Sequence, residues 1–221
     1  MNVPISGGKV LDATRITACI PTINYALKNN AKILLVSHLG RPTESVFEDK
    51  FSLKPVAACL SEIIDESVEV VDQLDSKKIF NSASRVQILE NIRFFKGEKD
   101  NSDELGSILG SLGHIYVFDA FGTAHRKQAS THSAIKHASF ACAGLLMEKE
   151  NSFLSQALNV DDSPYLAVIG GAKVSTKLEL IKHISDVADH IIVGGGIANT
   201  FLKASGKNIG TSLVEDSMLD V

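Results

Sequence analysis

Ala31-Lys32-Ile33-Leu34-Leu35-Val36-Ser37-His38-Leu39-Gly40-Arg41-Pro42 is the stretch on which the fold turns. Ile33 to Val36 is a short, solid apolar run, as expected of a strand covered on both faces. Ser37, His38 and Arg41 follow at once, with Gly40 to let the backbone turn and Pro42 to stop any helix. In open α/β sheets, ligands sit just beyond the carboxyl ends of the strands. A guanidinium at such an exit selects an anion.

A single strand-end arginine is as readily a solvated loop residue. Recurrence gives the pattern its weight. Val86-Gln87-Ile88-Leu89-Glu90-Asn91-Ile92-Arg93-Phe94 is a second apolar run with an arginine at its exit. Ile115-Tyr116-Val117-Phe118-Asp119-Ala120-Phe121-Gly122-Thr123-Ala124-His125-Arg126 is a third. Three sequential strands of one parallel sheet would bring Arg41, Arg93 and Arg126, with His38 and His125, to one edge as a basic basin. Planar guanidinium forks match carboxylate and phosphate oxygens two at a time.

Between and around these runs the pattern predicts alternating helices and strands. Residues 1–9, with Pro4, Gly7 and Gly8, read as a loop. Helices are expected over 12–29 (with Pro21 as its weak point), 52–64, 72–83, 104–112 and 145–158. Strands are expected over 32–36, 68–71, 86–90 and 115–118. His132 and His137 fall in an irregular stretch and read as structural or surface residues. Asn159 to Pro164 reads as a linker, so the expected division is 1–144, a connecting helix and linker over 145–163, and a second domain from 164 to 221.

Beyond the linker the chemistry changes. Tyr165 to Ile169 is a strand ending in Gly170-Gly171-Ala172-Lys173, with a helix expected from Val174 to Ile184. His190 to Val193 is a strand ending in Gly194-Gly195-Gly196, with a helix through Phe201 and Leu202. Glycine turns between strand and helix let backbone N–H groups approach a phosphate, and the helix N-terminus adds partial positive charge. The same glycines would serve a tight turn with no ligand. Lys173 and Lys177 are four apart, which puts both on one face of the first helical turns. The dinucleotide fingerprint G-x-G-x-x-G fails, because Asn199 stands in the third glycine's place, and the Walker pattern is absent.

Composition narrows the ligand. The 221 residues carry a net charge of −4, so the basic basin is local against an acidic background and favours a small anion over nucleic acid. There is no Trp, which leaves few platforms for stacking bases. Cys19, Cys59 and Cys142 lack metal-ligand spacing and read as buried core residues of a reducing compartment. No signal peptide or membrane span is expected, so the cytosol is the expected location. Two anion sites on either side of a linker point to phosphoryl transfer between two bound substrates.

Taken together, Ser37–Pro42, Leu89–Phe94, Asp119–Arg126, Gly170-Gly171-Ala172-Lys173-Val174-Ser175-Thr176-Lys177 and Val193–Phe201 strongly resemble phosphoglycerate kinase, in order and spacing. The resemblance implies an α/β fold of two Rossmann-like parallel-sheet domains joined by a hinge helix, the second domain incomplete. It implies transfer of the acyl phosphate of 1,3-bisphosphoglycerate to Mg-ADP, giving 3-phosphoglycerate and ATP, in a cytoplasmic monomer of glycolysis. The matching phosphoglycerate-binding positions are Asn2, Arg15, His38, Leu39, Gly40, Arg41, Arg93 and Arg126. The matching nucleotide positions are Gly171, Ala172, Lys173, Lys177, Gly194, Gly195 and Gly196. Arg15 and Lys173 would steady the transferring phosphoryl, Mg2+ would arrive with the nucleotide, and hinge closure would bring the halves together. No residue is expected to bind metal directly.

Members of that family open with a strand ending Asp-Phe-Asn-x-Pro, and they run on for most of another domain. Against that pattern the chain reads as a kinase cut at both ends, and a catalytically inactive phosphoglycerate-binding remnant is the first rival reading. A nicotinamide-dependent dehydrogenase is the second, weakened by Asn199 and by the lack of an acidic ribose-binding position.

Overall fold

The computed structural model describes residues 1–157 and 164–221. The chain divides into two compact units, Met1–Ser152 and Phe153–Val221. The division falls within a helix, and most of the stretch expected as a linker lies outside the described residues.

The first unit opens with a hairpin rather than a loop. Strands β1 (Ile5–Ser6) and β2 (Lys9–Val10) pair antiparallel. Gly7 and Gly8 supply the two consecutive positive φ angles, 54° and 74°, that a two-residue hairpin turn needs. The helix expected over 12–29 is two helices, α1 (Thr14–Thr17) and α2 (Ile20–Lys28). Pro21 has no N–H to give to the preceding turn, so the chain breaks before it and restarts with the proline in the first turn.

Strand β3 (Ile33–Leu35) leads to helix α3 (Lys54–Ile64), with Pro55 in its first turn as the sequence predicts. Strand β4 (Val68–Val71) follows, then helix α4 (Ser76–Asn81), shorter than the expected 72–83. The side chain of Asp75 caps α4 by accepting from the N–H groups of Lys77 and Lys78. Strand β5 (Val86–Leu89) completes a parallel sheet in the order β3-β5-β4. The fully covered strand is therefore β5, all four of whose residues are buried. Strand β3, expected to be covered on both faces, is an edge strand and only half-buried.

Alternate residues of this sheet feed two apolar cores. Ile88 joins Leu53, Val56 and Leu60 of the α3 region, with Ile16 and Ile23 of α1 and α2. Leu89 faces the other way, toward Leu105 and Leu109 of helix α5 (Asp103–Leu112). Ser102 caps α5 through its hydroxyl, and Asp103 and Glu104 suit its positive end.

Strand β6 (Tyr116–Phe118) does not extend the three-stranded sheet. After helix α6 (Ala134–His137), it pairs in parallel with strand β7 (Ala141–Ala143). The expectation of three sequential strands in one sheet is thus corrected: the third basic exit belongs to a second sheet. Tyr116 packs in the same apolar cluster as Leu34 and Val36, which keeps that exit within the same body. His137 is not free of partners either, since its Nε2 lies 3.2 Å from Asp103 Oδ1. Helix α7 (Leu145–Ala157) follows, with Phe153 and Leu154 exposed. Cys142 is exposed, contrary to its expected burial, because β7 is exposed along its length. No helix among the described residues is long and apolar enough to cross a membrane.

The second unit holds two parallel strands, β8 (Leu166–Gly171) and β9 (His190–Gly194), followed respectively by helices α8 (Leu178–Ser185) and α9 (Gly195–Ala204). Ala167 and Ile169 face a core with Val174, Ile184 and Ile197. Leu166 and Val168, one residue out of phase, are exposed.

A candidate anion site and a candidate nucleotide site

In the first unit, the sheet's exits are tied together by buried side chains. Asn91, fully buried at the end of β5, gives one amide proton to the carbonyl of Leu39 at 2.8 Å and the other to that of Phe51 at 2.9 Å. Its Oδ1 accepts the N–H of Leu39 at 3.3 Å and of Arg93 at 3.1 Å. One side chain therefore fixes the His38–Arg41 turn against the Arg93 turn, with every hydrogen-bonding group of its amide engaged. Glu90, also buried, accepts from Ser52 Oγ and from the N–H groups of Leu53 and Asn91, each at 2.8 Å. The N–H of Ile92 closes on the carbonyl of Ser37.

Gly40 turns in the left-handed region, φ 60°, and a Cβ there would lie 2.3 Å from the ring of Phe51. That conformation aims its carbonyl at Arg93 Nη1, which donates to it, and its N–H at Asn2 Oδ1, 3.3 Å away. The Asn2 carbonyl in turn accepts from Arg15 Nη1 at 2.7 Å. Asn2, Arg15, Gly40 and Arg93 thus form one connected set. Leu39, predicted as a binding residue, is instead a core residue with 5% of its surface exposed. Asn91 occupies both its N–H and its carbonyl.

The charges converge as well. His38 is held down to about 4, first by burial and then by Arg93, the amino group of Met1, Arg126 and Arg15. Arg93 is 8% exposed, and its pKa is lowered by burial, by Arg126 and by Arg41, against the opposing pull of Glu98. Arg15, Arg41, Arg93 and Arg126 form no ion pair with a carboxylate among the described residues. Clustered cations that Glu98 offsets only in part make a field that an anion relieves. His125 is exposed on the same turn as Arg126.

In the second unit, backbone does what side chains do in the first. Gly195, φ 66°, would bring a Cβ to 2.8 Å from the carbonyl oxygen of Gly171, and a Cβ on Gly196 would fall 2.3 Å from that of Ala172. Both glycines let the two βα turns pack backbone to backbone, and the Gly171–Gly195 pair extends the parallel ladder. Lys173 and Lys177 do not share a helical face. Residues 174–177 form a turn, Lys177 is the residue before α8, and Lys173 stands exposed in the loop. The β8 ladder runs on through Gly171, which delays the helix. Lys177 still lies over the glycine turn, its Cε 3.2 Å from where a Gly171 Cβ would be. Gly194 meets nothing nearby.

Sequence reasoning left out the residues that hold both sites. Glu90 and Asn91, two polar residues straight after a fully buried strand, were the available signal in the first unit. In the second, Glu215 accepts from Ser175 N–H at 3.0 Å and Ser175 Oγ at 2.5 Å, bonds that lower its pKa ahead of the attraction of Lys173. Its own N–H donates to Thr200 Oγ1 at 3.1 Å. Nothing local in the sequence foretells that pairing across 40 residues.

The family model described as Phosphoglycerate kinase matches residues 1–221. The chain belongs to the phosphoglycerate kinase family. It is 46% identical to the phosphoglycerate kinase of Vibrio campbellii over 221 residues, covering all of this chain and 57% of that protein. The phosphoglycerate kinase of Francisella philomiragia is 47% identical, over 99% of this chain and 55% of the relative. Among solved structures, phosphoglycerate kinase from Coxiella burnetii matches with a TM-score of 0.86 at 45% identity, covering 99% of this chain and 56% of that one. The enzyme from Pyrococcus horikoshii OT3 matches with a TM-score of 0.80 at 33% identity, covering 95% and 54%. The chain therefore spans about half the length of the curated relatives it matches.

Proposed function

We propose that this chain carries the phosphoglycerate-binding half, and the first nucleotide-binding turns, of a phosphoglycerate kinase. The intact enzyme would transfer the acyl phosphate of 1,3-bisphosphoglycerate to ADP, giving 3-phosphoglycerate and ATP. The observation that carries the reading is the cluster of Arg15, Arg93 and Arg126 around His38, with Arg41 beside Arg93, on one body with Asn2 and Gly40. A triose bearing a carboxylate and a phosphate presents two anionic ends, which suits several guanidinium forks better than one.

In this reading Gly171, Ala172, Gly194–Gly196 and Lys177 hold the nucleotide phosphates, and Arg15 and Lys173 steady the phosphoryl in transfer. In the reverse direction the nucleophile is the phosphoglycerate carboxylate, ionised at neutral pH, so no strong general base is needed. Positive groups that neutralise the charge on the moving phosphoryl are the main requirement. Mg2+ belongs to the substrate, as the Mg-nucleotide. Among the described residues no group of three or more His, Cys, Asp or Glu is placed to hold a metal. Free thiols at Cys19, Cys59 and Cys142 support a cytoplasmic location, and the family pattern is a monomer.

Calorimetric titration with 3-phosphoglycerate, ATP and NADH tests the assignment. Binding of 3-phosphoglycerate and ATP is expected. Binding of NADH with no response to 3-phosphoglycerate would replace the kinase reading with a dehydrogenase one. A coupled assay with both substrates tests turnover.

A further inference from the structure

We propose that Glu98 is a positioning residue of the anion basin, the buried carboxylate that sets the Arg126 turn against the Arg93 turn. The inference rests on the reading of the basin as a phosphoglycerate site. Glu98 is 2% exposed, four residues after the turn that carries Arg93. Its Oε2 accepts the N–H of Ser130 at 2.9 Å and its Oε1 accepts the Ser130 hydroxyl at 2.6 Å. Its carbonyl accepts the N–H of Ala129 at 2.9 Å. Ser130 is held from the other side by Tyr116, whose hydroxyl donates to the Ser130 carbonyl at 2.7 Å. The next residue, Thr131, gives its hydroxyl to the carbonyl of Arg126 at 2.5 Å. The path from Glu98 to Arg126 is thus two residues of hydrogen-bonded chain, and the path from Glu98 back to Arg93 is two consecutive turns, closed by Glu98 N–H on the Phe95 carbonyl and Phe95 N–H on the Ile92 carbonyl.

Arg126 sits on the exit of β6 and Arg93 on the exit of β5, and these strands belong to different sheets with no ladder between them. Their spacing therefore depends on links between the turns, of which the backbone supplies one, Ala129 N–H to the Glu98 carbonyl, and the Glu98 side chain two. A carboxylate is suited to this link because both its oxygens accept, and Ser130 offers two donors. Its burial is costly without partners, and burial does push its pKa up, while the two Ser130 bonds and Arg93 pull it back. Charge so placed also offsets part of the repulsion between Arg93 and Arg126 when no ligand is bound.

The variants Glu98→Ala and Glu98→Gln separate positioning from charge. Glutamine keeps the link, because its oxygen can accept the Ser130 N–H while its amide donates to the Ser130 hydroxyl, which turns to accept. Alanine removes both bonds. Calorimetry of 3-phosphoglycerate on the full chain is expected to show affinity lower by about tenfold in Glu98→Ala, the equivalent of one charged hydrogen bond, and restored to within about threefold of the parent in Glu98→Gln. Ser130→Ala, which keeps the backbone N–H bond, is expected to lose about threefold and serves if Glu98→Ala fails to fold. Equal affinity in all variants would overturn the proposal. Equal loss in Glu98→Ala and Glu98→Gln would overturn it too, since the charge and not the link would then matter. If the parent binds no 3-phosphoglycerate, the phosphoglycerate reading falls by itself. The same ranking is then sought with inorganic phosphate as probe, and an unranked or absent response there overturns the positioning role as well.

Discussion

The two candidate sites are built by opposite means. The first unit places its turns with buried polar side chains: Asn91 bridges Leu39, Phe51 and Arg93, and Glu90 holds Ser52 and Leu53. The second places its turns with missing side chains, because Gly195 and Gly196 rest directly on Gly171 and Ala172. A small acid is recognised by several guanidinium groups that must be aimed, and aiming needs struts. Phosphate approached by backbone N–H groups needs bare chain. The difference predicts that the first unit breaks when side-chain atoms are removed and the second when they are added.

The largest expected effect is therefore that of Asn91→Ala. It strips partners from several buried backbone groups at once and should destabilise the first unit by about 3–4 kcal/mol. Urea unfolding reads this, and a loss under 1 kcal/mol would mean the turns are held otherwise. Next comes Arg126→Ala, expected to weaken 3-phosphoglycerate binding by about 1.5–3 kcal/mol, the usual worth of a charged hydrogen bond. Unchanged affinity would remove Arg126 from the basin. Gly196→Ala should destabilise the second unit by about 1–3 kcal/mol, because the Ala172 carbonyl must shift to admit a methyl group. Lys177→Ala should lower ATP affinity by about 1 kcal/mol and leave phosphoglycerate binding alone. The reverse outcome would invert the division of labour.

The last effect is the pH dependence carried by His38. Its pKa in the folded chain is lowered to about 4 by burial and by the neighbouring cations, from an ordinary 6.5. The folded state is thus the poorer proton acceptor. As pH falls from about 6.5 to about 4, the unfolded chain takes up a proton that the folded chain refuses, and stability declines through that window. Above about 6.5 His38 contributes no pH dependence. Comparing urea midpoints at about pH 7 and pH 5 for the parent and His38→Gln should show a smaller drop in the variant. An equal drop in both would assign the dependence to other groups. Bound phosphoglycerate should favour protonated His38 and narrow the difference.

Much of the first site was legible because a parallel strand writes its own address. The apolar runs at 33–36 and 86–89 end where the polar residues begin, and Arg41, Arg93 and Arg126 all stand at such exits. The sheet order was not legible. Periodicity reports which face of β6 is apolar but not which strand it pairs with, and β6 pairs with β7. Pro21 marked a weak point, yet whether a helix bends or restarts there is decided by packing around Ile16 and Ile23. Lys173 and Lys177 were misplaced onto a helix because the spacing of charges carries no signal for where a β-ladder stops. The struts Asn91, Glu98 and Glu215 reach partners 52, 32 and 40 residues away in sequence, and only the fold brings those partners to them.

The most direct test of this division is a titration followed by backbone and side-chain NMR shifts on the whole chain, first with 3-phosphoglycerate and then with Mg-ATP. The account predicts that 3-phosphoglycerate moves the signals of Gly40, Arg93 and Arg126 while those of Gly171, Gly195 and Gly196 stay still, and that Mg-ATP does the opposite. Shifts from 3-phosphoglycerate confined to the glycine turns, or absent from the arginines, would contradict it.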